Sequence, residues 1–439
     1  MLEKERQTTD LTEEEKRSLE YLNYPTKPIV LPAGEAVASG AIRKDGEDII
    51  IRFDKSEAGI NTKEEVTVSP DHQYSLIEAT TFGLDEATVR AEKGTILRDA
   101  FMEDFGVVMQ KMEETGEDPF DFGTWVYYPR GKDVFHYASE YWHRLSLCMT
   151  NSTLLLDPEK KLSFQEAREK LANSVVASIG LSVGNNAAQS VIKDLRPKNY
   201  IVADPALYKL TNANRVLSLR SKDMVLSEDE KEQIINLHGL RPKWQVFAEQ
   251  IHALDPFMDI FCYPEANESN LSQLIGGNRV QPKADVVIEI CDTNGVKLAA
   301  AEEARRQKVP FIRLTDAGSK VSLDIRRFDL VESLPISLGV DDQELHRLSD
   351  LAENSSDDFI RFATALVGNL LDYDDEFGKL VKGGLPRVSS SLPQLGSTAV
   401  TAGGWTGEIV GRILLGHKFP ERVVLDLHNL TIETRGEVM

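Results

Sequence analysis

The chain has 439 residues, of which 41% are hydrophobic and 28% are charged, and its formal net charge is −21. This composition is that of a globular protein with two or three domains at about 150 residues each, and it excludes a disordered or fibrous class. The acidic balance argues against a nucleic acid or an anionic membrane as the main partner, because both bind basic surfaces.

No segment of the sequence predicts secretion or membrane insertion. The first residues, Met1 to Arg6, lack the hydrophobic stretch of a secretory signal, and no apolar run approaches the roughly 20 residues of a membrane span. The three cysteines, Cys148, Cys262 and Cys291, have no Cys-x-x-Cys spacing, so they predict no zinc site. We therefore expect a cytoplasmic protein with no membrane partner.

Residues 1–150 are predicted to form an N-terminal α+β module. The predicted elements are an acidic helix after Thr9 to Thr12, strands at Ile49 to Phe53 and Glu65 to Ser69, a long helix from Asp85 to about Glu114, and an aromatic β-hairpin from Trp125 to Tyr137. His136 and His143 have no metal-like companions, so we interpret them as packing or surface residues. The module contains no catalytic pattern, and we interpret it as a recognition or dimerisation element.

Residues 151–439 alternate strands with helices, which is typical of a Rossmann-like, doubly wound, mainly parallel sheet in an α/β protein. The predicted elements are helix 163–173, strand 175–180, helix 185–195, strand 199–204, helices 227–237 and 243–254, strands 257–262 and 284–291, helix 296–308 and strand 310–315. A mixed region then follows, with a strand at Val321 to Phe328, helices 341–349 and 357–371, loops at Asp372 to Asp375 and Lys382 to Gly384, helix 397–416, and an edge strand at Val423 to Leu427.

A glycine turn opens the most informative stretch. The strand Val175 to Ile179 is followed by Gly180 and, after a short loop, by Gly184 and a predicted helix. Such a turn lets backbone amides at a helix start approach phosphates. Asp204 ends the next strand at about the 20-residue spacing expected for an acid that accepts hydrogen bonds from ribose hydroxyls.

The segment 174–318 resembles the superfamily of ubiquitin-activating-like adenylyltransferases typified by ThiF and MoeB. The resemblance lies in landmarks whose order matches: the glycine turn at Gly180 and Gly184, the acid Asp204, the Asn-x-Asn-Arg motif of Asn212, Asn214 and Arg215, Lys243 at the start of a helix, and Asp292 after the strand that begins at Ala284. It covers about a third of the chain.

The resemblance implies a reaction in which a carboxylate attacks the α-phosphorus of ATP, giving an acyl-adenylate and pyrophosphate. It implies that Arg215 and Lys243 bind phosphates and that Asp292 holds Mg²⁺. The implied nucleotide-binding residues are Gly180, Ser182, Gly184, Asp204, Asn212, Arg215 and Lys243. The implied partner is a peptide or small carrier protein with an activatable C-terminal carboxylate, and the implied assembly is a homodimer.

The chain departs from the family pattern at four positions. Ser182 stands where a second glycine is usual, Ala206 replaces a second aspartate, Lys297 occupies a position often held by arginine, and Arg144 alone represents an arginine-rich segment. These departures leave open a catalytically inactive scaffold, or the inactive half of a heterodimer, as an alternative.

The cysteine positions distinguish branches of the superfamily. Members that form a thioester or persulfide with a carrier place a nucleophilic cysteine after the metal-binding aspartate. No cysteine follows Cys291 here. The sequence therefore favours adenylation without a covalent sulfur relay.

A rival interpretation comes from a different chemistry. The run from Gly180 to Gly184 also fits Gly-x-Ser-x-Gly, the nucleophile elbow of α/β-hydrolases, with Ser182 as nucleophile. Such a site needs an acid and a histidine downstream. The candidates are Asp292 or Asp316 and His346, His417 or His428.

Overall fold

The computed structural model describes residues 11–57, 60–75, 110, 112, 114–116, 118–137, 140, 143–144, 162, 164–216, 223–225, 241–352, 354–368 and 394–438. The chain divides into two compact units. The small unit comprises Pro25–Thr150 and Ile251–Phe257, and the large unit comprises Met1–Tyr24, Asn151–Gln250 and Met258–Met439. Among the described helices, none combines the length and the apolar character needed to cross a membrane.

The small unit contains two sheets, one of order β1-β6-β7-β5 and one of order β2-β3-β4. Its strands are β1 (Ile29–Pro32), β2 (Ile42–Asp45), β3 (Asp48–Glu57), β4 (Ile60–Val68), β5 (Gln73–Ser75), β6 (Thr124–Tyr128) and β7 (Asp133–Tyr137). The antiparallel pair β6 and β7 confirms the predicted hairpin. The predicted helix from Asp85 to Glu114 lies almost entirely outside the described residues.

The aromatic residues of the hairpin pack in the interior of the small unit. The indole of Trp125 stacks on the His136 ring with centroids 3.8 Å apart, and His136 Nε2 lies 2.7 Å from the carbonyl oxygen of Phe122. Burial lowers the pKa of His136, partly offset by that hydrogen bond. His143 Nε2 lies 2.9 Å from the carbonyl oxygen of Leu254. Both histidines therefore have packing roles, as the sequence predicted.

The large unit is built on one eight-stranded sheet of order β12-β9-β8-β13-β14-β15-β16-β17. Its strands are β8 (Val175–Ile179), β9 (Asn199–Ala203), β12 (Asp259–Tyr263), β13 (Val286–Glu289), β14 (Phe311–Ala317), β15 (Lys320–Arg326), β16 (Pro420–Asp426) and β17 (Thr431–Val438), while β10 (Tyr208–Lys209) pairs separately with β11 (Met224–Val225). The five strands from β12 to β14 are parallel and the last three are antiparallel. The predicted fold class, a Rossmann-like and mainly parallel sheet with further α+β structure, is confirmed.

The helices are α1 (Glu13–Leu22), α2 (Ala33–Ala38), α3 (Phe164–Ala172), α4 (Gly184–Leu195), α5 (Lys243–His252), α6 (Leu271–Gly276), α7 (Asn294–Arg306), α8 (Asp342–Leu351), α9 (Ser356–Val367) and α10 (Gly396–Leu414). Helix α10 packs closely on α4 because it presents glycines there: a Cβ on Gly403 would lie 2.7 Å from the backbone of Asn186, and one on Gly407 would lie 3.1 Å from the Ser190 Cβ. Helix α4, which follows the glycine turn, is therefore in close contact with the glycine-containing face of α10.

One strand prediction is wrong. The segment Val423 to Leu427 was expected at the sheet edge, but β16 pairs with β15 on one side and β17 on the other. Strand β17 is exposed along its whole length, so it has no buried alternation that sequence patterning could detect. The predicted helix 227–237 and the predicted loops at 372–375 and 382–384 lie outside the described residues.

A buried charge cluster lies at the end of β13. Glu289 is fully buried; its Oε1 accepts a hydrogen bond from Lys297 Nζ at 3.0 Å and its Oε2 accepts one from Arg313 Nε at 2.8 Å. Burial alone would raise the pKa of Glu289, but the two cations together lower it. The cluster joins β13, α7 and β14 directly below the loop that leads to Asp292.

We expect Glu289→Gln to destabilise the large unit by about 3–5 kcal/mol, because it leaves the buried Arg313 and the partly buried Lys297 without their carboxylate. Urea unfolding followed by circular dichroism measures the change. The control is Glu332→Gln, whose carboxylate pairs with Lys308 at the surface and should change stability by about 0.5 kcal/mol or less. Equal stability of the two variants would contradict this account of the cluster.

Candidate active site

A pocket of about 340 Å³ lies in the large unit at the carboxyl ends of the parallel strands. Open α/β sheets bind their ligands at this edge. The lining comes from the segments that follow β8, β9 and β13, together with the starts of α5 and α7: Ile179, Gly180, Leu181, Ser182, Ala203, Asp204, Pro205, Ala206, Lys209, Thr211, Asn212, Arg215, Lys243, Ala266, Ile290, Cys291, Asp292, Thr293 and Val296. The pocket volume is within the usual range for small-molecule sites.

The glycine turn shapes the floor of the pocket. Gly180 has a φ of +103°, which side-chain-bearing residues rarely adopt, and its N–H donates to the carbonyl oxygen of Ala203 at 2.8 Å. A Cβ at Gly180 would lie 2.5 Å from the carbonyl oxygen of Ile290. Only glycine therefore allows β8 and the segment after β13 to approach this closely.

Asp204 links the glycine turn to the start of α5. Its Oδ2 accepts the N–H of Leu181 at 2.7 Å and lies 3.5 Å from Lys243 Nζ, while its Oδ1 accepts the N–H of Ala206 at 2.8 Å. Each carboxylate oxygen has two lone pairs, so Asp204 retains acceptor capacity on Oδ1. The predicted ribose acid is thus also a structural link of the pocket.

Ser182 organises the basic side of the pocket. Its Oγ accepts hydrogen bonds from Arg215 Nε at 3.1 Å, from Arg215 Nη2 at 2.9 Å and from Asn212 Nδ2 at 3.1 Å. These donors occupy the acceptor capacity of the hydroxyl. The residue that departs from the family's second glycine therefore fixes the orientation of the motif arginine.

Arg215 is buried between acidic groups. Burial lowers its pKa, partly offset by Asp316 and Asp292. Burial in turn raises the pKa of Asp316 to about 6, against the opposing effects of Arg215 and of the Gln394 amide, which donates to Asp316 Oδ1 at 2.9 Å. The sequence predicted a role for Asp316 only as the acid of the rival hydrolase. Its proximity to Arg215 could not be predicted, because it depends on the register of β14.

Two lysines add positive charge. Lys243 opens α5, where its N–H donates to the carbonyl oxygen of Ala206 at 2.9 Å and its Nζ lies 5.8 Å from the Tyr208 ring centroid. Lys209 also lines the pocket, and its N–H donates to Asn212 Oδ1 at 2.8 Å. Lys209 was missed by sequence reasoning; its position three residues before the Asn-x-Asn-Arg motif is the signal that could have identified it.

Asp292 lies at the exposed rim of the pocket, three residues beyond the end of β13. Its neighbour Cys291 also lines the pocket. Burial raises the pKa of the Cys291 thiol, and Glu289 raises it further. The thiol therefore stays protonated and is a poor nucleophile at neutral pH.

The pocket brings together most of the residues predicted from the sequence, namely Gly180, Ser182, Asp204, Asn212, Arg215, Lys243 and Asp292. Two others lie beside it. Gly184 begins α4, where an added Cβ would lie 3.2 Å from the Ile290 side chain, and Asn214 donates to the carbonyl oxygen of Gln394 at 2.7 Å. These two residues are in positions that support the pocket wall.

Four other sequence candidates lie elsewhere. His346 Nε2 lies 2.8 Å from Glu302 Oε1, and the described residues that line the pocket include no histidine, so neither His417 nor His428 lies with Ser182. Arg144 lies in the small unit, 3.6 Å from Asp255. The described residues therefore do not assemble a Ser-His-Asp triad around Ser182.

No family model matches the chain, and no curated protein matches it. Several solved structures are similar to it. The crystal structure of PaaA is 13% identical with a TM-score of 0.44, over 79% of this chain and 97% of that chain. The crystal structure of E. coli MccB is 12% identical with a TM-score of 0.41, over 88% of this chain and 92% of that chain. The crystal structure of the E. coli tRNA N6-threonylcarbamoyladenosine dehydratase TcdA is 13% identical with a TM-score of 0.39, over 63% of this chain and 96% of that chain. These likenesses are too distant to carry an argument about function.

The sequence motifs of residues 174–318 resemble those of the ThiF/MoeB superfamily. The sheet has the fold class that this resemblance implied, and its parallel half places the landmark residues around one pocket.

We expect Gly180→Ala to lower the melting temperature of the large unit, because the alanine would have both an unfavourable φ and a clash with the Ile290 carbonyl. The matched control is Gly404→Ala in α10, where a Cβ meets nothing within 4 Å. That helix substitution should stabilise the protein by about 0.5–1 kcal/mol. Scanning calorimetry distinguishes the two; a Gly180→Ala variant as stable as wild type would contradict the assigned backbone geometry.

Proposed function

We propose that the chain is an ATP-dependent adenylyltransferase that activates a carboxylate as an acyl-adenylate and releases pyrophosphate. The observation that carries the proposal is the convergence of Lys209, Arg215 and Lys243 on one pocket whose floor is a glycine turn. A triphosphate beside a second anion requires such a concentration of positive charge.

The geometry supports a phosphate-binding role for the basic wall. Ser182 holds the Arg215 guanidinium by two hydrogen bonds, and Asp204 lies within reach of the Lys243 ammonium. Cations fixed before the ligand arrives need no reorganisation when negative charge shifts towards the leaving pyrophosphate. Because Arg215 is largely buried, its interaction with phosphate is only weakly screened by salt. The proposed catalysis is therefore mainly positioning and electrostatics.

Magnesium is the metal that this function implies, and the donor set fits it. Mg²⁺ is usually held by one or two carboxylates together with substrate phosphates and water. Asp292 offers a carboxylate at the rim of the pocket, and no group of three or more His, Cys, Asp or Glu ligands suited to a metal occurs among the described residues. We propose that Asp292 holds Mg²⁺, which when bound neutralises phosphate charge.

The proposed reaction proceeds without a cysteine relay. Cys291 is the last cysteine of the chain, and the raised pKa of its thiol disfavours the thiolate that such a relay needs. The acyl-adenylate would pass directly to its acceptor. The proposed partner is a peptide or carrier protein with a free carboxylate, while residues 1–150 would serve recognition or a homodimer interface.

We expect Asp292→Asn to remove the Mg²⁺ dependence of ATP binding, because a neutral amide is a weaker ligand for a hard cation. Isothermal calorimetry with ATP, with and without Mg²⁺, measures this. The control is Asp350→Asn, an exposed aspartate at the end of α8. If wild type has no affinity for ATP under either condition, the adenylyltransferase proposal fails.

We expect Ser182→Ala to weaken ATP binding about tenfold, because about 1.5 kcal/mol is typical of a hydrogen bond to a charged group and Arg215 would lose its fixed orientation. The same variant tests the rival hydrolase. A fluorophosphonate probe should not label wild type at Ser182, since the described pocket offers no histidine base. Labelling that disappears in Ser182→Ala would overturn the adenylation proposal in favour of the hydrolase.

A further inference from the structure

A second pocket, of about 420 Å³, lies entirely within the small unit. It is lined by the turn between β2 and β3, the start of β5, the segment before β6, and two residues of the aromatic hairpin, Trp125 and His136. None of its lining residues belongs to the proposed nucleotide pocket. Its volume is within the range of small-molecule sites.

This acidic pocket contains carboxylates that the protein does not neutralise. Three carboxylates line it, those of Glu47, Asp48 and Asp118, together with the ammonium of Lys44. Lys44 Nζ lies 3.3 and 3.1 Å from the two carboxylate oxygens of Asp118, so these two charges offset each other. In the described part of the small unit, neither Glu47 nor Asp48 forms an ion pair. The pocket therefore has an excess of negative charge that favours a cationic ligand.

The buried ring of His136 adds an unused hydrogen-bond acceptor. His136 lines the pocket and is only 5% exposed. Its Nε2 lies 2.7 Å from the carbonyl oxygen of Phe122, which can only accept, so Nε2 carries the proton. Burial lowers the pKa of His136, so the ring is neutral at pH 7 and Nδ1 keeps a bare lone pair. Among the described residues, none donates a hydrogen bond to Nδ1.

Gln73 provides a second acceptor with a fixed orientation. Its Nε2 donates to the carbonyl oxygens of Glu47 and Val68, both at 2.9 Å. Both amide protons are thereby used, which distinguishes the amide nitrogen from the oxygen and leaves Oε1 as an acceptor. Within the described structure, Oε1 accepts no hydrogen bond. The pocket therefore offers acceptors, and a ligand that binds there has to bring donors.

Aromatic rings form the apolar side of the pocket. Trp125 stacks on His136, and the Phe120 ring lies beside it with centroids 5.0 Å apart. The indole N–H of Trp125 donates to the Phe120 carbonyl oxygen at 3.0 Å, so it is not available to an anion. The Lys44 ammonium lies 4.7 Å from the Phe120 ring centroid, within the distance of a cation–π interaction. The pocket thus already holds one ammonium group against an aromatic face.

We propose that this acidic pocket binds a primary alkylammonium group. The ammonium would neutralise the charge of Glu47 and Asp48, and its three N–H donors match the free acceptors of His136 and Gln73. The alkyl chain would lie against the aromatic rings, whereas a carboxylate or a phosphate would be repelled by the unpaired acids. A free amine and a lysine side chain share this chemistry. The proposal does not require that the nucleotide pocket be active.

The test uses the full chain and n-butylammonium, with 1-butanol as an uncharged reference of the same length. Isothermal calorimetry at low salt should give saturable binding of n-butylammonium only. The double variant Glu47→Gln with Asp48→Asn should bind it about tenfold more weakly, because two carboxylates are lost. Nα-acetyl-lysinamide carries the same butylammonium group on a peptide backbone. Its tighter binding would identify a lysine side chain as the source of the ligand, and its weaker binding would identify a free amine.

The matched control is Glu35→Gln with Asp71→Asn. Both are exposed acids of the small unit, and neither lines the acidic pocket. This variant loses the same two charges from a chain whose net charge is −21, so it measures general attraction of cations to an acidic surface. It should bind n-butylammonium as wild type does. Equal binding of n-butylammonium and 1-butanol, or equal weakening in both double variants, would overturn the proposal.

Discussion

The carboxylate of Asp204 is the interaction on which the candidate active site depends. It accepts the backbone N–H of Leu181 in the glycine turn, and it pairs with Lys243 at the start of α5. This contact gives the turn after β8 and the start of α5 a shared polar anchor in the pocket. A single buried acid therefore sets the distance between the glycine turn and the Lys243 ammonium.

A second buried acid sets the electrostatics behind the pocket. Glu289 is surrounded by Lys297 and Arg313, so the cluster as a whole carries one positive charge in the interior, next to the segment that leads to Asp292. Field from a buried charge is poorly screened by solvent. The cluster behind the rim aspartate therefore carries net positive charge, which favours the binding of an anion.

Much of this arrangement could be predicted from the sequence because it is local. The strand, glycine turn and helix around Gly180 follow from apolar patterning and glycine chemistry within a short segment. The contact between Ser182 and Arg215 could not be predicted, since it joins loops whose separation depends on the order of β8 and β9 in the sheet. Strand β17 was missed for another reason: it is exposed on both faces and has no hydrophobic period.

The net charge of −21 constrains how any anionic ligand is bound. Beyond about 8–10 Å, salt screens exposed charges, so the surface acids repel an approaching anion mainly at low ionic strength. Within the pocket, Arg215 is only 9% exposed, and its attraction for phosphate is far less reduced by salt. Rising salt should therefore reduce the repulsion from the surface acids more than the attraction within the pocket.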